Sequence, residues 1–71
     1  MSEPVWRKAE MLVEETQQAI EAQRAMVADL ERRGFDARFA AKRLAMLEEA
    51  LARRIEIANQ LRARAEKKRS P

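Results

Sequence analysis

The sequence has no cysteine and no histidine, and its 71 residues include one glycine, two prolines and only 4% aromatic residues. Without cysteine there is neither a disulfide framework nor a thiolate metal site. Without histidine, the chain lacks the usual proton-transferring side chain at neutral pH and the commonest metal ligand. The remaining composition, rich in alanine, leucine, glutamate and arginine, predicts long helices and disfavours both sheet and disorder.

Catalytic chemistry has few candidate residues. Thr16 is the only hydroxyl residue outside the terminal segments, and no histidine or cysteine is present to activate it. The paired acids Glu14-Glu15 and Glu48-Glu49 are adjacent in sequence, so their side chains point to different sides of a helix. We therefore expect a protein that is not an enzyme, with no cofactor, no metal and no small-molecule substrate.

Long hydrophobic runs are also absent. The longest apolar runs, 25–28 and 44–47, have four residues each, whereas a membrane-spanning helix needs about 20. The first residues show no basic segment followed by an apolar stretch, as a signal peptide would. We expect a cytoplasmic protein with no membrane partner.

The net charge of +3 is unevenly distributed along the chain. Residues 1–33 carry seven acidic and five basic side chains, for a net charge of −2. Residues 34–71 carry five acidic and ten basic side chains, for a net charge of +5. The two halves are suited to pair with each other, and the second half is the better candidate for contact with an anion.

The single glycine divides the chain near its midpoint and predicts a turn between two helices. Gly34 can take the positive φ that a helix C-terminus requires, with Leu30 and Phe35 as the apolar pair of a Schellman ending. Asp36 is suited to cap the next helix by accepting from its free amides. So short a connection predicts an all-α antiparallel two-helix hairpin. We expect one domain, 1–71, with helix 1 at about 3–33, a turn at 34–36, helix 2 at about 37–67 and a frayed tail at 68–71.

Heptad spacing indicates which residues form the seam between the helices. In helix 1 the two seam rows are Trp6, Val13, Ile20 and Val27, and then Ala9, Thr16, Gln23 and Leu30. In helix 2 they are Ala37, Leu44, Leu51, Ala58 and Ala65, and then Ala40, Leu47, Arg54 and Leu61. The two arms have matched lengths and are expected to pair along their whole extent.

Both helices carry more apolar surface than one seam uses. The additional residues are Val5, Leu12, Ala19 and Met26 in helix 1, and Phe39, Met46, Ala50 and Ile57 in helix 2. A strip of this length is expected to associate with another surface. A second copy would complete an antiparallel four-helix bundle, and the alternative is a helix of another protein. The interface candidates are Phe39, Met46, Ala50, Ile57, Trp6 and Met26.

Three seam positions are polar, and Trp6 lies near the open end. Thr16, Gln23 and Arg54 either form a buried polar layer that fixes register, or Arg54 lies at the seam edge and reaches Glu14 or Glu15. For Arg54, a position at the edge of the seam is favoured. For Gln23, a hairpin folded at 34–35 predicts Leu47 as the neighbour across the seam. For Trp6, a plug over the last core layer is favoured over an interface anchor.

Basic residues of helix 2 are the candidates for nucleic-acid contact. They are Arg38, Lys42, Arg53, Arg64, Lys67, Lys68 and Arg69. Phosphate contact needs such a positive row, but Glu49 and Glu56 interrupt it, and no aromatic residue offers a stacking platform. The favoured function is a protein–protein interaction or assembly module, with a small RNA- or DNA-binding regulatory dimer as the alternative.

The corner of the hairpin also carries a sequence resemblance. Residues 27–36 read V-x-x-L-E-x-x-G-x-D, and Ala41 and the run 44–51 follow. This pattern resembles that of a group of short alphaproteobacterial hypothetical proteins, and it covers about the middle half of the chain. The resemblance implies the same helical hairpin and brings no function with it. By architecture alone, the chain also looks like the plasmid-copy-number RNA-binding hairpin dimers, a weak basis for function.

Overall fold

The computed structural model describes residues 3–69 and consists of two antiparallel α-helices. Helix α1 spans Val5–Arg32 and helix α2 spans Arg38–Arg69, and the described residues contain no strand. The helices pack side by side into a rod with Cα extents of 60 × 21 × 12 Å. The predicted all-α hairpin is confirmed.

The helix boundaries differ from the expected ones at the open end of the hairpin, both at the start of α1 and at the end of α2. Pro4 lies before α1 rather than within its first turn, because its ψ of 148° is extended. Helix α1 therefore begins at Val5, two residues later than expected. Helix α2 continues to Arg69, so 68–69 are helical and not a frayed tail. Residues 70–71 of the expected tail lie outside the described residues.

The turn after α1 is a Schellman ending centred on Gly34. Gly34 has a φ of +75°, the left-handed conformation that glycine adopts without steric cost. Its amide donates to the carbonyl of Glu31 at 3.1 Å, and the amide of Phe35 donates to the carbonyl of Leu30 at 2.9 Å. These two hydrogen bonds satisfy carbonyls that the helix end would otherwise leave without a partner.

Asp36 organises the start of α2, as its position predicts. Its Oδ1 accepts from the backbone amide of Arg38 at 3.0 Å, and both carboxylate oxygens accept from the Arg38 guanidinium. These contacts, led by the side-chain hydrogen bond from Arg38, lower the pKa of Asp36 below its usual range. The capping charge is thus retained to a lower pH than that of an isolated aspartate.

The core of the hairpin is thin. Within the described residues, the buried apolar side chains are Ile20 and Ala58, each 4% exposed, and the buried polar ones are Thr16 and Gln23. Two helices in contact along one line bury only a narrow stripe of each. The hairpin therefore depends on its turn and its polar contacts, and on any surface that covers the rest of the apolar residues.

Changing Gly34 tests the turn. A Cβ added to Gly34 meets no atom within 4 Å, so the cost of Gly34→Ala arises from the left-handed backbone alone. We expect Gly34→Ala to lower the free energy of unfolding by about 1–2 kcal/mol. A chemically synthesised chain with D-alanine at position 34 is the matched control, and we expect it to be more stable than wild type by about 0.4–1 kcal/mol, because D-alanine fits positive φ and restricts the unfolded chain.

Urea unfolding followed by circular dichroism, at one fixed protein concentration, measures both effects. Equal stability of the wild type and the L-alanine variant would contradict a left-handed residue at this turn.

Candidate interaction surface

Interhelical ion pairs mark one side of the hairpin as polar. Arg24 bonds Glu48 and Arg62 bonds Glu10, each at 3.0 Å. Each of these four residues lies four positions after a residue of the first seam row of its helix. At ~100° per residue, such a position is turned about 40° from that row, always toward the same side of the hairpin.

The opposite side of the hairpin carries most of the exposed apolar residues, together with Arg43 and Arg64, and both helices contribute to it. Residues one position before the first seam row are turned about 100° toward that side, and residues two positions after it are turned about 160° and lie at its outer edge. A groove lined by Val5, Trp6, Leu61 and Arg64 shows the two helices meeting there. We call this side the apolar face; it comprises Val5, Leu12, Ala19 and Met26 of α1, and Phe39, Met46, Ala50 and Ile57 of α2.

The apolar face is largely exposed to solvent. Phe39 is 90% exposed, Met46 63%, and Ile57 and Met26 52% each. Ala50 is half-buried between the larger residues of α2. Contiguous exposed apolar surface of this kind is characteristic of a surface that binds another molecule. Val5 and Leu12, which were not among the interface candidates, are also exposed on this face.

Trp6 occupies a different environment from the other interface candidates. It is half-buried at the open end of the hairpin, and the guanidinium carbon of Arg62 lies 5.4 Å from the centroid of its ring. A cation at this distance over an indole is attracted to the face of the ring. Trp6 therefore covers the last layer of the seam, which is the arrangement expected of a plug.

A polar layer crosses the middle of the seam. Thr16 is 3% exposed; its Oγ1 donates to the carbonyl of Leu12 at 2.7 Å and accepts a short hydrogen bond from Nη1 of Arg54. Among the described residues, no ion pair joins Arg54 to Glu14 or Glu15. The expectation that Arg54 reaches Glu14 or Glu15 was wrong, because the half-buried Arg54 bonds the threonine hydroxyl across the seam instead.

A second polar contact reinforces the same alignment. Nε2 of Gln23 donates to the main-chain oxygen of Ala40 at 3.0 Å. Ala40 is seven residues nearer the turn than Leu47, the expected neighbour of Gln23. Gln23 is 6% exposed. A slip of one helix past the other would separate both Thr16 and Gln23 from their partners, and buried polar groups without partners are costly. The two contacts therefore favour a single register.

The basic residues of α2 do not form one continuous surface. Arg38 is held by Asp36, and Lys42 lies near it on the outer side of the helix. Arg64 lines the groove beside Val5, on the side of the hairpin that carries the apolar face. Exposed Glu49 and Glu56 lie between the basic positions. Arg53, Lys67 and Lys68 are exposed, and the side chain of Arg69 lies outside the described residues.

The described residues include no cluster of three or more His, Cys, Asp or Glu side chains that could hold a metal ion. Neither described helix has an apolar stretch long enough to cross a bilayer.

Comparison with known protein families, with curated proteins and with solved structures finds no match. The resemblance to alphaproteobacterial hypothetical proteins stays a prediction.

The polar layer can be tested by a double-mutant cycle. Thr16→Val leaves the Arg54 guanidinium without its partner, and we expect it to lower the free energy of unfolding by about 1–2 kcal/mol. The double variant Thr16→Val with Arg54→Leu is expected to lose less than the sum of the two single variants, because no polar group is then left unpaired. Chemical unfolding at constant protein concentration measures each term.

The control cycle pairs Thr16→Val with Lys42→Leu on the outer side of α2, where we expect simple additivity. Equal coupling in the two cycles would contradict a specific interaction between Thr16 and Arg54.

Proposed function

We propose that the chain is a non-enzymatic assembly module that buries its apolar face against a second copy of itself, forming an antiparallel four-helix bundle. The observation that carries this proposal is that most of the exposed large apolar residues of both helices lie on the same side of the hairpin, with Met11 and Ile55 as exceptions. In four-helix bundles, a second pair of helices packs over a face of this kind and buries it. Closed two-fold dimers are also the commonest assemblies of small soluble chains.

The thin core supports the same proposal. A chain of this size is marginally stable on its own, and the seam buries few apolar side chains fully. Burial of each large side chain of the apolar face contributes roughly 1.5–3 kcal/mol relative to its exposure. Dimer formation therefore supplies stability that the single hairpin lacks, and folding and assembly are expected to be coupled. A cytoplasmic location is part of the proposal and rests on the sequence alone.

Charges placed on the apolar face test this function. We expect Phe39→Glu combined with Ile57→Glu to give a monomer of reduced helicity, because burial of these positions becomes unfavourable. The matched control is Ala45→Glu combined with Ala52→Glu, which adds the same two charges to exposed positions of α2 away from the apolar face. Sedimentation equilibrium and circular dichroism at low micromolar concentration measure association and helicity.

We expect the control to remain a dimer. A wild-type chain that sediments as a stable, fully helical monomer would contradict self-association and leave a helix of another protein as the occupant. A Phe39/Ile57 variant that associates as wild type does would contradict the use of this face.

Nucleic-acid binding is the second candidate function. It is favoured by one observation: Lys42, Arg53 and Arg64 are exposed and take part in no ion pair among the described residues. Against it, the basic positions are dispersed around α2, and Glu49 and Glu56 lie among them. A dimer would double the number of these bases without making them continuous.

Titration with duplex DNA and with structured RNA over a series of salt concentrations separates the two functions. Because the bases are dispersed, we expect only weak binding that disappears at moderate salt. Tight binding with a steep log–log salt slope, lost on changing Lys42 to glutamine while the dimer persists, would favour the nucleic-acid function.

A further inference from the structure

We propose that the two copies associate with their turns at the same end of the bundle, so that α1 of each lies over α2 of the other, and that Glu15 pairs with Arg53 of the partner subunit. This inference rests on the proposed function, because it specifies how the second copy occupies the apolar face.

Two-fold symmetry allows two ways to bring the apolar faces together. With the axis along the helices, the turns lie at the same end and α1 packs on α2 of the partner subunit. With the axis across the helices, the turns lie at opposite ends and each helix packs on its own counterpart. The half of the chain that contains α1 has a net charge of −2, and the half that contains α2 has +5. The first arrangement brings opposite charges together, whereas the second places the two basic helices side by side.

The register of the hairpin supports the same-end arrangement. Residue i of α1 lies level with residue ~69 − i of α2, as shown by Thr16 with Arg54 and by the groove that Val5 shares with Arg64. An axis along the bundle preserves these levels between copies. Leu12 then meets Ile57 of the partner subunit, and Ala19 meets Ala50 of the partner subunit, so a large residue packs beside a large one and a small one beside a small one in the middle of the face. Toward its two ends, Val5 is level with Arg64 of the partner subunit and Met26 with Arg43 of the partner subunit.

Glu15 and Arg53 border the apolar face at the same height. Each lies two positions after a residue of the first seam row, Val13 and Leu51, and so points toward the edge of the face. Both are exposed, and neither has an ion-pair partner among the described residues. In the same-end dimer, each Glu15 approaches Arg53 of the partner subunit, and symmetry repeats the pair.

The face is large enough for a stable dimer. The hairpin measures 60 × 21 Å across this side, which exceeds the roughly 800 Å² per partner that a standard interface buries. Leu12, Ala19, Ala50 and Ile57 lie nearest its centre, and the Glu15 and Arg53 positions lie at its edge, Arg53 in the same row of α2 as Phe39 and Met46.

Charge reversal tests the pair. We expect Glu15→Arg alone and Arg53→Glu alone each to weaken the dimer by roughly tenfold at low salt, because the pair occurs twice. The double variant Glu15→Arg with Arg53→Glu restores opposite charges and is expected to recover the wild-type dissociation constant to within about threefold. The matched control is Glu21→Arg with Arg53→Glu, which has the same net charge but changes an exposed position of α1 outside the apolar face. We expect no recovery in the control.

A distance measurement tests the arrangement independently. The absence of cysteine allows one spin label to be placed at Glu31→Cys, near the turn and outside the apolar face. In the same-end dimer the two labels lie one bundle width apart, roughly 20–30 Å. In the opposite-end dimer they lie roughly 40 Å apart, because each is about 12 residues from the middle of the bundle. Pulsed electron–electron double resonance measures the distance between the two labels and distinguishes these values.

A short distance together with charge-reversal recovery specific to Glu15 supports the inference. A long distance, or recovery no greater than in the Glu21 control, overturns it while leaving the assembly function intact, provided that the Phe39/Ile57 variant still dissociates. A monomeric wild type overturns both.

Discussion

Two helices in contact can bury only one stripe of each, and the rest of this structure follows from that constraint. The stripe along the seam is narrow: it leaves Phe39, Met46 and Ile57 exposed on α2, and Leu12 and Met26 exposed on α1. An isolated hairpin with this sequence would expose to water a row of apolar residues along both of its helices. The proposed dimer is the simplest assembly that buries this row without changing either helix.

The turn and the polar layer determine how the two apolar flanks combine. Gly34 and Asp36 reverse the chain within a few residues, so the helices begin their contact in a defined register. Thr16 and Gln23 then hold that register with side-chain hydrogen bonds across the seam. The ion pairs Arg24–Glu48 and Arg62–Glu10 lie on one side of the seam, and most of the exposed apolar residues lie on the other. The turn therefore determines the register of the seam, and that register determines which apolar residues stay exposed for assembly.

Much of the fold could be predicted because it depends on local rules. A single glycine followed by Phe35 and Asp36 is enough to predict the Schellman ending and the helix start, since backbone conformation at such positions depends on residue type. The seam rows follow from the heptad spacing in the same way. The prediction of the helix ends was less accurate. Pro4 lies outside α1 and Arg69 lies inside α2, because the end positions depend on small differences in free energy.

The partners of long side chains were harder to predict. The stem of Arg54 reaches several acceptors, and heptad spacing does not distinguish Thr16 from Glu14 or Glu15. The common side of the two apolar flanks was missed for a different reason, because each helix viewed alone does not show which of its sides meets the other. The signal was present in the charges: Glu10, Arg24, Glu48 and Arg62 follow their seam rows at one spacing with alternating sign.

The central claim is that a second copy of the chain covers the apolar face. Isotope-filtered nuclear Overhauser spectroscopy on a mixture of labelled and unlabelled chains detects contacts between copies directly. Our account predicts intermolecular cross-peaks from the methyl groups of Ile57 and Met46 to protons of the other copy. Spectra in which these methyl groups show contacts only within one chain, at concentrations where the protein is fully helical, would contradict it.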